Sequence, residues 1–341
     1  MHVATCTETL PHRPVRVVPE PAPIAAALAP AARGVLRTRL ELVHAGSTEV
    51  EIRWERVGVE HAPLVVVQGG ISADRHVVAN ALDPSPGWWE TQGARGSALE
   101  PRGRALLAID WLGADGALDV PIDTADQAAA IAAVLDALGV ARIAAFVGAS
   151  YGAMTALAFA ARTPRRVGRI VAISGADRAH PDASAWRAIQ RRIVALGGDS
   201  AEGVALARAL AMLGYRSAAE LGERFDAPAR VVDGRVRCAS EDWLDACGER
   251  FAARFPARAF VRLSESIDLH RVDPAAIAVP TTLVGIEEDR LVPFADLLAL
   301  ASALAPRARL VRLSSRYGHD AFLKEPTAID RVLCRALRGA A

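Results

Sequence analysis

A serine at position 150 lies in the pentapeptide GASYG (148–152), which has the form G-x-S-x-G. An apolar strand pattern, RIAAFV (142–147), precedes the pentapeptide, and a helical pattern (153–162) follows it. This is the context of a nucleophile held on a tight turn between a strand and a helix. Glycine is needed on both sides of the serine because a side chain there would clash with neighbouring backbone. The pattern therefore predicts Ser150 as the nucleophile of an acyl-transfer reaction.

The nucleophile needs a base, because a serine hydroxyl reacts poorly until its proton is removed. After a strand-to-helix elbow of this kind, the partners follow in the order serine, aspartate or glutamate, histidine. Asp289 and His319 each follow an apolar run that is typical of a buried strand. We therefore predict His319 as the base and Asp289 as the acid that orients its ring. Glu287 and Glu288 are the rival acids, and we interpret them as charges of the loop.

Acyl transfer also needs backbone N–H groups that stabilise the negatively charged oxygen of the tetrahedral intermediate. One donor is expected from Tyr151, the residue after the nucleophile. The other is expected from the loop QGGIS (68–72), where glycines let the backbone turn toward the site. Gly70 or Ile71 is therefore the second predicted donor. The sequence contains no zinc, phosphate-loop or dinucleotide motif, and we expect neither a metal nor a bound cofactor.

Strand and helix patterns alternate along the chain, and they predict a mostly parallel, doubly wound α/β sheet with helices on both faces. The strand patterns lie at 50–59, 64–67, 105–109, 142–147, 167–173, 281–285 and 310–313. A helix is expected over 124–138, where Thr124 and Gln127 fit a capping box.

The alternation stops between residues 177 and 273, where the sequence is mostly helical, rich in Arg and Ala, and without a clear strand. An insertion of this kind predicts a helical lid over the carboxyl edge of the sheet, where open α/β sheets bind ligands. The predicted organisation is an N-terminal arm (1–34), a core domain (35–176 and 274–341) and the lid (177–273).

The composition excludes several other classes of protein. Apolar residues make up 52% of the 341 residues and charged residues 23%, as in folded globular chains. The formal net charge is +1, so we expect no nucleic-acid or membrane partner. The four cysteines have no paired spacing, which is typical of a reducing compartment. No apolar run is long enough to cross a membrane, so we expect a cytoplasmic protein. We interpret the alanine- and proline-rich segment 21–32 as part of a loose arm rather than an export signal.

Several segments together resemble the homoserine O-acyltransferase family of the α/β-hydrolase fold. The matching segments are GGISADRHV (69–77), SYGAM (150–154), ISGADRAHP (173–181), LARALAMLGYRS (206–217), DRLVP (289–293) and YGHDAFLKE (317–325). The resemblance implies transfer of an acetyl or succinyl group from acyl-CoA, a co-substrate, to the hydroxyl of L-homoserine in methionine biosynthesis. It implies that the serine is acylated first and that CoA leaves before homoserine takes the group. Members of the family are commonly homodimers joined through lid helices.

The resemblance extends to three further residues. Arg208 and Asp320 match the family residues that hold the carboxylate and the ammonium of the amino acid, and Tyr215 is expected in the same pocket. The chain departs from the usual elbow of the family at Ala149 and Tyr151. The departures leave open whether the donor is acetyl- or succinyl-CoA and whether the acceptor is homoserine or serine. A serine esterase is the other alternative, because exclusion of water, and not the triad, separates transfer from hydrolysis.

Overall fold

The computed structural model describes residues 28–198 and 200–339. Its strands are β1 (Ala31–Leu42), β2 (Gly46–Val57), β3 (Leu64–Gln68), β4 (Ala105–Ile109), β5 (Ala145–Ala149), β6 (Ile170–Ile173), β7 (Arg230–Val232), β8 (Arg235–Arg237), β9 (Thr281–Ile286) and β10 (Ala308–Leu313). Eight of them form one sheet in the order β1-β2-β4-β3-β5-β6-β9-β10. β1 and β2 pair antiparallel, β2 is antiparallel to β4, and the remaining neighbours are parallel. The predicted mostly parallel sheet is confirmed.

Helices cover both faces of this sheet. They are α1 (Glu90–Gly93), α2 (Thr124–Ala137), α3 (Tyr151–Arg162), α4 (Pro181–Gly197), α5 (Ala201–Tyr215), α6 (Ala218–Arg224), α7 (Ala239–Ala252), α8 (Ala257–Leu269), α9 (Phe294–Ala303), α10 (Ala321–Lys324) and α11 (Pro326–Ala336). In β3, Val66 packs in a core with α2 and α3, whereas Val65 and Val67 pack in a second core with α11. Burial on both faces explains why the central strands are continuous apolar runs. Within the described ranges, no helix has both the length and the apolar character required to cross a membrane.

The chain between β6 and β9 contains α4 to α8 and the hairpin of β7 and β8, and we refer to this segment as the lid. Within the lid, α5 packs against both α4 and α7. The hairpin was not predicted, because its three-residue strands are too short to show an alternating pattern. Its turn residues Asp233 and Gly234 have φ of 50° and 75°. An Asp-Gly pair of this kind is the local signal that could have revealed the hairpin.

Strand β1 begins at Ala31, so part of the segment 1–34 that was assigned to the arm lies in the sheet. Residues 1–27 lie outside the described residues. β1 pairs with β2 along its whole length at the sheet edge, where one face remains in contact with water. Val35, for example, is 54% exposed. The mixed polar and apolar pattern of an edge strand is weaker than that of the buried strands, and this explains why the sequence reasoning missed β1.

Helix α2 begins at the predicted residue, but its cap differs from the prediction. The Asp123 side chain accepts two backbone N–H groups of the first turn, and the Asp126 side chain accepts the N–H of Asp123. The capping box is therefore formed by this pair of aspartates and not by Thr124 and Gln127. Thr124 instead places its hydroxyl 2.6 Å from His270 Nδ1. Asp and Thr are both good capping residues, so the pattern alone did not separate them.

Candidate active site

Ser150 lies in the turn between β5 and α3 with φ of 55° and ψ of −118°. An L-residue rarely adopts this conformation, and the tight packing around the turn maintains it. A Cβ on Gly148 would lie 2.1 Å from the carbonyl oxygen of Gly152, and a Cβ on Gly152 would lie 2.1 Å from that of Gln68. The Gly152 N–H also donates to the Gly69 carbonyl at 2.8 Å. Gly148 therefore allows the strand to approach the first turn of α3, and Gly152 allows the elbow to pack directly against β3 and the loop that follows it.

Ser150, His319 and Asp289 form a continuous chain of hydrogen bonds. The distance between Ser150 Oγ and His319 Nε2 is 2.7 Å, and that between His319 Nδ1 and Asp289 Oδ2 is 2.7 Å. The other carboxylate oxygen, Oδ1, accepts the backbone N–H groups of Leu291 at 2.9 Å and Val292 at 3.0 Å. The loop after β9 thus fixes the carboxylate, and the carboxylate fixes the imidazole. This arrangement suits a base whose Nε2 faces the hydroxyl.

The two rival acids have other partners. Glu287 lies 3.2 Å from Arg312, and both side chains are largely exposed. Glu288 accepts the N–H of Ser315 at 2.7 Å and also bonds the hydroxyl of Ser314. Glu288 therefore holds the segment after β10 in place, and only Asp289 among the three carboxylates bonds the histidine.

The environment of His319 favours its protonated form. Burial of the imidazole opposes the charge and would lower its pKa. The negative charge of Asp289 and the hydrogen bond to its carboxylate outweigh burial, and Asp320 adds to them. The pKa of His319 is therefore raised above its ordinary value. A base with a raised pKa binds the hydroxyl proton more strongly, and its neutral form, which accepts that proton, is favoured as the pH rises.

The predicted oxyanion donors all line the same cavity as Ser150. A Cβ on Gly70 would lie 4.0 Å from Ser150 Cβ, so the loop after β3 passes directly beside the serine. The Gly70 carbonyl accepts from Trp111 Nε1 at 3.0 Å, which holds this loop in position. In the part of the chain that the structure describes, the N–H groups of Tyr151 and Ile71 donate to no protein acceptor. Both donors are therefore free to bind a ligand oxygen.

A cavity of about 430 Å³ lies over Ser150, between the carboxyl edge of the sheet and the lid. Arg208 of α5 lines it, and its guanidinium carbon is 5.0 Å from the ring centre of Tyr215 and 4.7 Å from that of Phe251. Arg208 Nη1 donates to the hydroxyl of Tyr215 at 3.4 Å, and among the described residues the guanidinium has no carboxylate partner. The Tyr215 ring in turn lies 5.8 Å from the His319 ring. An unpaired guanidinium near the triad is suited to bind a carboxylate.

Asp320 also lines the cavity, next to a buried arginine that the sequence reasoning did not select. Arg216 Nε lies 3.1 Å from Asp320 Oδ2, and Arg216 Nη1 lies 3.8 Å from Glu220. Arg216 is 7% exposed and Glu220 is 5% exposed. Glu220 also lies 3.5 Å from Arg224, so two carboxylates meet two guanidiniums in this cluster. Of these side chains, Asp320 is the one that lines the cavity, and its carboxylate is suited to an ammonium group.

Two further arginines of the lid were missed from the sequence. Arg187 and Arg191 lie one turn apart on α4, and both approach Asp268 of α8. Side chains four residues apart share a helix face, so this spacing on a lid helix is the signal that could have selected them. Their partner Asp268 is distant in sequence and could not be inferred from it.

The fold and the Ser-His-Asp geometry define an enzyme of the α/β-hydrolase class. The sequence pattern of the α/β-hydrolase fold family matches residues 63–326, and the chain belongs to this family. A homoserine O-succinyltransferase of Xanthomonas campestris pv. campestris is 59% identical over 91% of this chain and 85% of its own length. A homoserine O-acetyltransferase of Nocardia farcinica is 30% identical over 84% of this chain and 86% of its own. Within the α/β hydrolases, the chain therefore belongs to the homoserine O-acyltransferase family, as its motifs predicted.

The architecture also matches a solved structure of this kind. The homoserine O-acetyltransferase from Bacillus anthracis superimposes with a TM-score of 0.81, covering 90% of this chain and 98% of the other. The sequence identity to that protein is 15%, so this likeness concerns the fold.

Proposed function

We propose that this protein transfers an acyl group from acyl-CoA to the side-chain hydroxyl of L-homoserine, a step of methionine biosynthesis. The observation that carries the proposal is the hydrogen-bonded chain of Ser150, His319 and Asp289 in one cavity with the unpaired Arg208. The triad supplies acyl transfer, and the guanidinium supplies a site for the carboxylate of an amino acid. The relative that is 59% identical supports the same acceptor.

In the first half-reaction, the thioester carbonyl of acyl-CoA lies against Ser150. His319 Nε2 takes the hydroxyl proton while Ser150 Oγ attacks the carbonyl carbon. The N–H groups of Tyr151 and of Gly70 or Ile71 stabilise the oxyanion. The C–S bond then breaks, and His319 gives its proton to the departing sulfur. Free CoA leaves, and the acyl group remains as an ester on the serine.

In the second half-reaction, L-homoserine binds with its carboxylate against Arg208 and its ammonium against Asp320, beside Tyr215. His319 removes the proton of the homoserine hydroxyl, and the oxygen attacks the acyl ester. When the bond to Ser150 breaks, the proton passes from His319 to Ser150 Oγ, and the enzyme returns to its first state. The lid over the cavity keeps water away from the ester, which favours transfer over hydrolysis.

We infer that the acyl group is succinyl. The homoserine O-succinyltransferase that supports this donor is 59% identical to the chain, whereas the Nocardia farcinica homoserine O-acetyltransferase is 30% identical. Succinyl differs from acetyl by a second carboxylate at its far end, so the cavity must accept a further negative charge when this donor is used.

Release of CoA thiol by the purified protein tests the proposed function. Succinyl-CoA and acetyl-CoA are each combined with L-homoserine or L-serine, and Ser150→Ala is the control. We expect release that depends on succinyl-CoA and homoserine and is lost in the variant. Release that depends on serine would assign the other acceptor, and release without any acceptor would assign a hydrolase. No release with any pair would contradict the proposal.

We further propose a cytoplasmic homodimer joined through the lid. The lid exposes several large apolar side chains, since Leu196 is 90% exposed, Val231 74% and Val236 70%. Burial of these side chains between two lids would remove apolar surface from water. Light scattering should give twice the chain mass of 36.0 kDa, and a fully active monomer would contradict the dimer.

A further inference from the structure

A charge cluster in the lid adjoins the cavity, and the mechanism above does not use it. Arg187 and Arg191 share the single carboxylate of Asp268. Arg187 Nε lies 2.7 Å from Asp268 Oδ1, and Arg191 Nη1 lies 2.7 Å from Asp268 Oδ2. The arginine side chains are 12% and 20% exposed. Two guanidiniums and one carboxylate leave one positive charge that the cluster itself does not compensate.

Only Arg187 of these two arginines lines the cavity over Ser150. Its Nε and Nη2 are engaged by Asp268 and by the hydroxyl of Ser184, the latter at 3.1 Å. Its Nη1 donates to no acceptor within residues 28–198 and 200–339. Burial lowers the pKa of Arg187, because removal from water disfavours the charged form. An anion in the cavity would supply the counter-ion and accept from Nη1.

Binding of L-homoserine, the proposed acceptor, does not neutralise the positive charge of this cluster. The carboxylate of homoserine is assigned to Arg208, and its ammonium is assigned to Asp320. Homoserine is a zwitterion, so its binding adds no net charge. An acetyl group on Ser150 is neutral, whereas a succinyl group ends in a second carboxylate. The uncompensated positive charge of the cluster around Asp268 therefore suits a dicarboxylic acyl group.

We propose that Arg187 binds the distal carboxylate of the succinyl group and thereby selects the donor, an inference that rests on the proposed function. Asp268 and Ser184 hold the guanidinium from one side, so its orientation is set before the donor binds. The remaining N–H groups of Arg187 can donate hydrogen bonds to the carboxylate of a succinyl group. The methyl group of an acetyl donor has no atom that accepts them. Arg187 is thus a specificity residue, while Ser150 and His319 carry out the transfer.

The test compares kcat/KM for succinyl-CoA with kcat/KM for acetyl-CoA at saturating homoserine. In Arg187→Gln, the succinyl-to-acetyl ratio should fall by about 10- to 100-fold, the range expected for loss of a hydrogen bond to a charged group. The acetyl-CoA value should stay close to that of the parent. Arg187→Lys should keep part of the succinyl preference because it retains the charge. Asp268 stays paired with Arg191 in both variants, and equal unfolding temperatures would establish that the lid is intact.

Arg254→Gln is the matched control, because Arg254 also lines the cavity but is exposed and forms no ion pair among the described residues. Its donor ratio should equal that of the parent. The inference would be overturned if Arg187→Gln left the succinyl-to-acetyl ratio unchanged, whether or not it raised the KM for homoserine. It would also be overturned if Arg254→Gln lowered that ratio. A parent enzyme that prefers acetyl-CoA would overturn it as well. If the parent releases no CoA with homoserine, the proposed function itself fails.

Discussion

Ser150 Oγ and His319 Nε2 lie 2.7 Å apart although 169 residues separate them in the chain. The serine directly follows β5, and the histidine lies in the short 3-10 turn Gly318–Asp320, after β10. β6 and β9 lie between these two strands in the sheet, and Asp289 follows β9. The three side chains therefore come from loops at one edge of the parallel sheet. Their contact depends on the strand order, and the contribution of each residue can be tested separately.

Asp289→Asn should reduce the rate of homoserine-dependent CoA release on the order of 10³- to 10⁴-fold, because an amide favours the wrong imidazole tautomer and does not stabilise the imidazolium. The expected change is in kcat, with little change in stability. Glu287→Gln is the matched control on the same loop, and it should keep the parent rate. Equal losses in the two variants would contradict the role of Asp289.

The rate should fall on the acid side of a pKa above the ordinary histidine value. The proposed mechanism needs neutral His319. Burial would lower its pKa, but the charge and the hydrogen bond of Asp289 outweigh burial and raise it. Protonation therefore begins at a higher pH than in an isolated histidine, and activity is lost as the pH falls through that raised pKa. The measurement is kcat/KM for the acyl donor against pH. An acid limb below the ordinary histidine pKa would contradict the interpretation.

Gly152→Ala should disrupt the elbow. The added Cβ would lie 2.1 Å from the Gln68 carbonyl oxygen, so β3 and α3 would have to separate. We expect a loss of about 1–3 kcal/mol in the free energy of unfolding, because overpacking displaces backbone at this contact. Chemical denaturation measures the loss. Gly103→Ala is the control, since a Cβ there meets no atom within 4 Å and should leave stability nearly unchanged.

Arg208→Gln should raise the KM for L-homoserine by roughly 10- to 100-fold, because a charged hydrogen-bonding partner of its carboxylate is lost. The first half-reaction needs no acceptor, so acylation of Ser150 by succinyl-CoA should continue at the parent rate. A single-turnover burst of CoA without homoserine separates the two steps. An impaired burst together with an unchanged KM for homoserine would contradict the assignment.

Much of the fold could be predicted because its signals are local. Strands covered on both faces must be apolar throughout, and the glycines around Ser150 are dictated by close contacts of the backbone with itself. The sequence did not predict elements whose side chains face water, nor positions where several residue types can take the same role. The edge strand β1, the short hairpin of β7 and β8, and the choice of Asp123 over Thr124 as the helix cap are examples.

The sequence by itself determined the α/β class, the nucleophile elbow and the order in which acid and base follow it, since each depends on neighbours along the chain. Apart from the predicted pair of His319 and Asp289, only the tertiary structure decided which charges meet. It surrounds Arg216 with Asp320 and Glu220. It gives Arg208 the hydroxyl of Tyr215 as a partner in place of a carboxylate of the described residues. The energy of a charge depends on burial and on distance to every other charge. Both quantities arise only when distant segments pack together.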